Sequence, residues 1–341
     1  MNNATYMQPA FKKSRIGTPW EGTKLYIESQ GGFIHDGITF VSTTKNNVAY
    51  ENNENDSERH VIVTSASTIP AGSELMRLPT SVLVTLSTVE KSSIGRFIFE
   101  LVDGVDKQTN RKSNTKKLFN TKNDLVLALF LSYLSGNKHV ENLTKDSSGD
   151  VIWDGVRLYL STLPDDDSYD NLPRRWSNET LEKYLSGTSL LQRIKAEKEG
   201  LKQDHQMLFD YFSAKEELSK ALSPFPGIEI FDQMLSAVGS RAFDGLGDDN
   251  LDAMIPLLDL FDHKRGVSVT SDVSYRRLEG EHNNTAIVVI AKCDLKNGSI
   301  PGITYGAKGN SQLLARYGFT LLDNIEPDGM FSTQWILNNL K

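Results

Sequence analysis

The chain has 341 residues, enough to bury a sizeable core in one large or two ordinary domains. Its hydrophobic and charged fractions, 38% and 24%, lie near the soluble average and name no class. A formal charge of -7 argues against a dedicated nucleic-acid binder, and a single cysteine, Cys293, excludes an internal disulfide framework and a multi-cysteine zinc site. No apolar run reaches the roughly 18 residues of a membrane span, because the longest, 125–134, is interrupted by Ser132 and Tyr133. Lys12, Lys13 and Arg15, with no acid before Glu21, read as a disordered basic start. A cytoplasmic protein is expected, with an organelle or the nucleus left open.

In chain order, the apolar piece 25–27 stops at Gly31-Gly32. Residues 46–57, dense in Asn, Asp and Glu, predict a solvated loop. Val61, Ile62 and Val63, the turn Pro70-Ala71-Gly72 and the run 74–84 predict a pair of strands around a Pro/Gly turn. The polar, basic stretch 103–117 reads as a surface loop. A buried helix follows, opened by Asn123 or Asp124 near its N-cap. Helical pattern continues through 153–163 and 181–222, with charges of both signs over 190–220 marking a solvated face. Ser223-Pro224-Phe225-Pro226-Gly227 ends it.

Phe231, Met234, Leu235 and Val238 then share one helix face. A second β region spans 267–303, with 286–290 its clearest strand. Ala66-x-x-Ile69-x-x-Gly72-x-x-Leu75 has an echo in Ala291-x-x-x-Leu295-x-x-Gly298-x-Ile300, which reads as two similar hairpins either side of a helical insertion. The class is α+β, a β-rich body interrupted by helices. A phosphate loop at 302–309 fails on glycine spacing.

Several motifs fall in a recognisable order. Gly31-Gly32-Phe33 opens the series, and Thr68-Ile69-Pro70-Ala71-Gly72-Ser73-Glu74-Leu75 runs to Leu78-Pro79. Trp153 precedes Tyr159-Leu160-Ser161-Thr162-Leu163-Pro164, and Trp176 precedes Leu185-Ser186-Gly187-Thr188. Then come Ser240-Arg241-Ala242-Phe243 and Ile255-Pro256-Leu257-Leu258-Asp259-Leu260-Phe261-Asp262-His263. Ile303-Thr304-Tyr305-Gly306-Ala307-Lys308-Gly309-Asn310, Leu313-Leu314 and Tyr317-Gly318-Phe319 close the series. In order and spacing, the chain resembles the SET-domain methyltransferases of the Rubisco large-subunit methyltransferase type from about residue 25 to about residue 324.

That resemblance implies an α+β, β-rich SET fold split by a large helical insertion. Residues 25–102 and 230–324 would form its two parts, 103–229 the mainly helical insertion, and 325–341 a tail. The tail is too short for the family's helical substrate-docking domain, so the chain is either truncated or docks its substrate differently. The resemblance also implies S-adenosyl-L-methionine as methyl donor and a protein substrate as acceptor, with lysine first and histidine as the sister possibility. A monomer without nucleic-acid, membrane or metal partner is expected.

Tyr305 would carry the chemistry, and the carbonyls of Ser240 and Asp259 would hold the acceptor amine, with Tyr275 as a further substrate contact. Arg241, Asp262, His263 and Tyr317 would meet the cofactor, together with the segment Arg59, His60, Val61. Two positions depart from the family. His60 and Ile62 stand where it carries Gly-x-Gly, placing side chains where glycine admits close backbone approach. Asp262 replaces an asparagine, keeping an acceptor and losing the amide donor.

These departures leave open a catalytically silent SET-like protein serving in binding or assembly. Taken without the resemblance, Tyr305 and Tyr317 are half-buried aromatics. His263 is then a structural histidine and Arg241 a cation at a helix C-terminus.

Overall fold

The computed structural model describes residues 19–44, 57–111, 118–136, 151–247, 251–264, 271–279, 285–322, 324 and 326. The basic start, nearly all of the expected 46–57 loop and most of the tail lie outside them. The strands, in chain order, are β1 (Phe33–Ile34), β2 (Ile38–Thr44), β3 (Ser57–Val63), β4 (Glu74–Pro79), β5 (Ala242–Phe243), β6 (Ala253–Met254), β7 (Asp262–His263), β8 (Val273–Leu278), β9 (Ala286–Ala291) and β10 (Gly302–Ile303). The helices are α1 (Pro19–Ser29), α2 (Leu86–Glu90), α3 (Gly95–Arg111), α4 (Lys122–Gly136), α5 (Val151–Leu160), α6 (Asn178–Leu185), α7 (Ser189–Ser213), α8 (Glu216–Ala221), α9 (Ile228–Arg241) and α10 (Asn310–Tyr317).

An antiparallel sheet of order β1-β4-β9-β8 forms the β side, with β2-β3, β5-β6 and the parallel pair β7-β10 around it. Its inner residues include Ile34, Leu75, Leu78, Ile287 and Val289, which pack with Val61, Val63, Leu258 and Phe261 into one apolar core. A second core is helical. All ten residues from Leu125 to Leu134 in α4 are buried, so this helix is enclosed on every side, as an all-round apolar helix must be.

Four expectations at the level of elements are corrected. The segments 61–63 and 74–84 do not pair with each other: β3 pairs with β2, while both edges of β4 are taken by β1 and β9. Nor do the two echoing segments form separate hairpins. Ile69 bridges Leu295, and Gly72 N–H donates to the Ala291 carbonyl at 2.8 Å, so the echoes lie against each other. Gly72, at φ +87°, supplies the left-handed turn that this contact requires.

The stretch 103–111 is helical. Ile98, Leu101, Val102 and Val105 form a buried stripe at i, i+3, i+4 and i+7 that outweighs the polar residues between them. Finally, Thr121 opens α4, its hydroxyl accepting from the Asp124 N–H at 3.2 Å. No helix among the described residues is long and apolar enough to cross a membrane.

The two cores meet where α9 ends. Its face of Phe231, Met234, Leu235 and Val238 is buried in the helical core, which fixes the direction of its last turn. Met254 belongs to the helical core and its neighbours Ala253 and Ile255 to the β core. Segment 253–263 is thus the seam between them.

The helical side is tied together by Asp204 of α7, fully buried, which accepts from the N–H groups of Phe119 and Asn120 at 2.7 and 2.8 Å and from the Asn120 side chain at 2.9 Å. Asp204→Ala strands these donors away from water. Urea denaturation should show a loss of roughly 3 kcal/mol, and a loss below about 1 kcal/mol would remove Asp204 from this role.

Candidate active site

The charged centre of the site is assembled from three distant stretches. α9 presents Ser240 and Arg241 in its last turn, where backbone carbonyls lack intrahelical partners and the helix dipole is negative. Arg241 Nη1 donates to the main-chain oxygen of Asp259 at 2.9 Å and to its Oδ2 at 3.1 Å. The Tyr159 hydroxyl, from the end of α5, donates to the same Oδ2 at 3.0 Å. Asp259 sits in a 3-10 turn, Leu258–Leu260. Leu257, just before it, holds φ +67°, a left-handed conformation uncommon for a bulky residue.

Arg241 Nε and Asp259 Oδ1 are buried and have no hydrogen-bond partner among the described residues. Burial is the largest influence and disfavours the charge on Arg241, but Asp259 together with Tyr169, Tyr159 and Tyr305 outweighs it, so the guanidinium is held above its ordinary range and remains ionised. Burial raises the Asp259 carboxyl, against the pull of Arg241 and of the Tyr159 hydrogen bond.

The second part of the site comes from the β side. β10 runs parallel to β7 with Ile303 opposite His263, which places Tyr305 beside the His263 ring. The Tyr305 N–H donates to His263 Nδ1 at 3.0 Å, so a neutral His263 carries its proton on Nε2. The Tyr305 hydroxyl donates to the Phe261 carbonyl at 2.8 Å. Burial, opposed by Arg241, raises this phenol and keeps it protonated. Rings continue outward, with Tyr305 5.0 Å from His263 and 4.9 Å from Tyr317, and Phe319 6.1 Å from Tyr317. The buried Asn310 side chain bonds both the N–H and the carbonyl of Leu321, at 3.0 and 2.8 Å, fixing the strip that carries Phe319.

Around these groups lie two cavities of about 460 Å³ and about 280 Å³. Ser240, Arg241, Asp259, Tyr305 and Tyr317 line both, so the cavities adjoin across a common wall. His60, Asp262 and His263 line only the larger; Tyr275 lines only the smaller. His60 Nδ1 lies 2.6 Å from Asp262 Oδ2.

The remaining site candidates lie elsewhere. Val61 is fully buried in the β core and lines neither cavity. Arg59 pairs with Ser42 through the backbone of β3, and its side chain is outside the described residues. Tyr159, Asn171, Phe319, Phe243 and Lys308 also take part, without having been singled out from sequence. Tyr159, Phe243, Lys308 and Phe319 stand in the motifs quoted from sequence, and Asn171 stands in none of them.

No family model and no curated protein sequence matches the chain. Solved structures do. The SET domain of LSMT bound to lysine and AdoHcy aligns at TM-score 0.61 and 18% identity, covering 89% of this chain and 57% of that one.

The chain has a SET-domain fold. Rubisco LSMT bound to sinefungin and monomethyllysine aligns at TM-score 0.59 and 18% identity, over 89% of this chain and 57% of that one. Rubisco LSMT bound to AdoMet gives TM-score 0.59 and 16% identity, over 90% and 57%. The chain therefore spans somewhat over half the length of these SET-domain proteins.

The burial of the tyrosines, Tyr275, Tyr305 and Tyr317 of the cavity walls among them, can be tested by titration. Burial raises the phenols of Tyr26, Tyr133, Tyr159, Tyr275, Tyr305 and Tyr317, with Tyr26 pushed up to about 12. Folding thus favours their protonated forms. The stability they contribute is whole below their ordinary value near 10 and is lost as pH rises toward the folded values, about 12 for Tyr26. Tyrosinate absorbance at pH about 10.5 should therefore show the native protein ionising clearly fewer of its eleven tyrosines than the unfolded chain. Equal ionisation in both states would mean that these phenols are open to water.

Proposed function

We propose that the chain is an S-adenosylmethionine-dependent protein N-methyltransferase with a lysine side chain as acceptor. The observation that carries this reading is the pair of adjoining cavities with Tyr305 in their common wall. Group transfer between two bound partners needs such a shared boundary, across which donor and nucleophile are held in line.

The larger cavity suits the donor. Its volume of about 460 Å³ falls in the range of small-molecule sites. It offers a carboxylate at Asp262 for an ammonium group, the Arg241 guanidinium for a carboxylate, and the aromatic rings of Tyr317 and Phe319. When bound, the donor supplies a methyl group on a positively charged sulfur.

The chain's own residues supply the rest. The Tyr305 hydroxyl commits its hydrogen to the Phe261 carbonyl, so its oxygen can only accept from what enters either cavity. An acceptor oxygen favours cationic groups and hydrogen-bond donors and disfavours a second acceptor. The smaller cavity, walled by Phe243, Tyr275, Tyr305 and Tyr317, suits the alkyl stem of a lysine. Removal from water and the Arg241 and Lys308 cations on its wall disfavour the ammonium form, against Asp244 and Asp259, and so favour the neutral amine that attacks. The α9 terminus at Ser240 orients that amine through backbone acceptors.

A competing reading, a silent SET-like binding module, rests on His60 and its contact with Asp262 in the donor cavity.

Calorimetry and transfer of labelled methyl groups to protein acceptors separate the two readings. At 100 times Kd, S-adenosylmethionine should stabilise the fold by about 2.7 kcal/mol. Tyr305→Phe should bind it nearly unchanged while turnover falls by about 100-fold or more. Binding without transfer to any lysine-containing acceptor supports the silent module, and unchanged turnover removes Tyr305 from the chemistry.

A further inference from the structure

Deepening the reading of the larger cavity as the donor site, we propose that His60 is a latch on that site: it holds the Asp262 carboxylate, and the donor's ammonium group must displace it to bind. The contact joins residues 202 apart in sequence, with His60 Nδ1 at 2.6 Å from Asp262 Oδ2. Both side chains line the larger cavity.

The backbone explains why His60 points there. In β3, Val61 and Val63 are fully buried in the β core, and successive side chains of a strand face opposite ways. His60 therefore faces away from that core and onto the cavity. Its strand is anchored without help from the contact. Seven register pairs join β3 to β2, and Val63 exchanges hydrogen bonds with Ser299 and Gly298 at 3.0 and 2.8 Å. The imidazole can leave Asp262 by side-chain rotation while the strand stays in place.

Asp262 is the carboxylate that an incoming cation can reach. The other acid on the cavity wall, Asp259, has only 1% of its side chain exposed and is engaged by Arg241 and Tyr159. The Asp262 side chain is 43% exposed against 14% for His60, so it is approachable from the cavity side. One carboxylate then serves two cations or hydrogen-bond donors in turn, and the affinity for the donor is reduced by whatever the His60 contact contributes.

Isothermal calorimetry with S-adenosylhomocysteine, which carries the same amino-acid end, tests this on the wild type, His60→Ala, Asp262→Asn and the double variant. His60→Ala should bind fivefold to tenfold tighter than wild type, a gain on the order of 1 kcal/mol. In the Asp262→Asn background, removing His60 should change affinity less than twofold, because the latch has lost its catch.

Equal or weaker binding by His60→Ala overturns the latch while leaving the donor reading standing. Equal tightening in both backgrounds also overturns it, since His60 would then act by bulk alone. No binding by any of the four, at millimolar ligand, overturns the donor reading and the latch with it. Should His60→Ala unfold, His60→Asn takes its place; a smaller tightening supports the latch and none overturns it.

Discussion

A buried guanidinium paired with a buried carboxylate, Arg241 with Asp259, is the contact from which the site hangs. Burying both charges is costly, and the cost is offset only when geometry is good and the remaining polar atoms are served. Here Arg241 reaches both the backbone and the side chain of Asp259, and Tyr159 serves the same carboxylate. The pair ties the end of α9, fixed in the helical core, to the turn Leu258–Leu260, fixed in the β core. Losing either partner would leave an uncompensated charge at the seam, with a penalty of about 3–5 kcal/mol.

Much of the chemistry follows from which polar atoms that seam leaves over. Arg241 Nε and Asp259 Oδ1 are buried without partners among the described residues, an arrangement that proteins maintain where a ligand or water completes it. Tyr305 arrives from the opposite side through β10, with its hydrogen already spent on Phe261. The wall between the cavities therefore combines a fixed positive charge, a lone-pair-bearing phenol and the tilted rings of Tyr305 and Tyr317. Its charge and its phenol are both held by carbonyls of one short segment, those of Asp259 and Phe261.

The residues that share one helix or strand face were the most legible in sequence. The stripe of Phe231, Met234, Leu235 and Val238 and the strand around Ala286–Ala291 follow from periodicity alone. That Tyr305 shares a site with His263 was implied by the family resemblance, and the two rings lie 5.0 Å apart. Strand pairing was not legible. β3 and β4 are neighbours in sequence, yet β4 pairs with β9, more than two hundred residues away, and period-two patterns say nothing about which edges meet. The helix over 103–111 was hidden because its exposed face is rich in charge and amide, while its buried stripe begins earlier, at Ile98.

Tyr159 and His60 illustrate a second reason. Each makes a site contact with a residue at least 100 positions away. Nothing in the local pattern of a tyrosine or histidine announces such a partner.

The most direct measurement is a crystal structure grown with saturating S-adenosylhomocysteine. Ligand density is expected in the larger cavity, bounded by Arg241, Asp262 and Tyr305, with the Arg241–Asp259 pair intact and the smaller cavity open. Density outside that cavity, or a broken Arg241–Asp259 pair with side chains collapsed into the space, would contradict a two-chamber site.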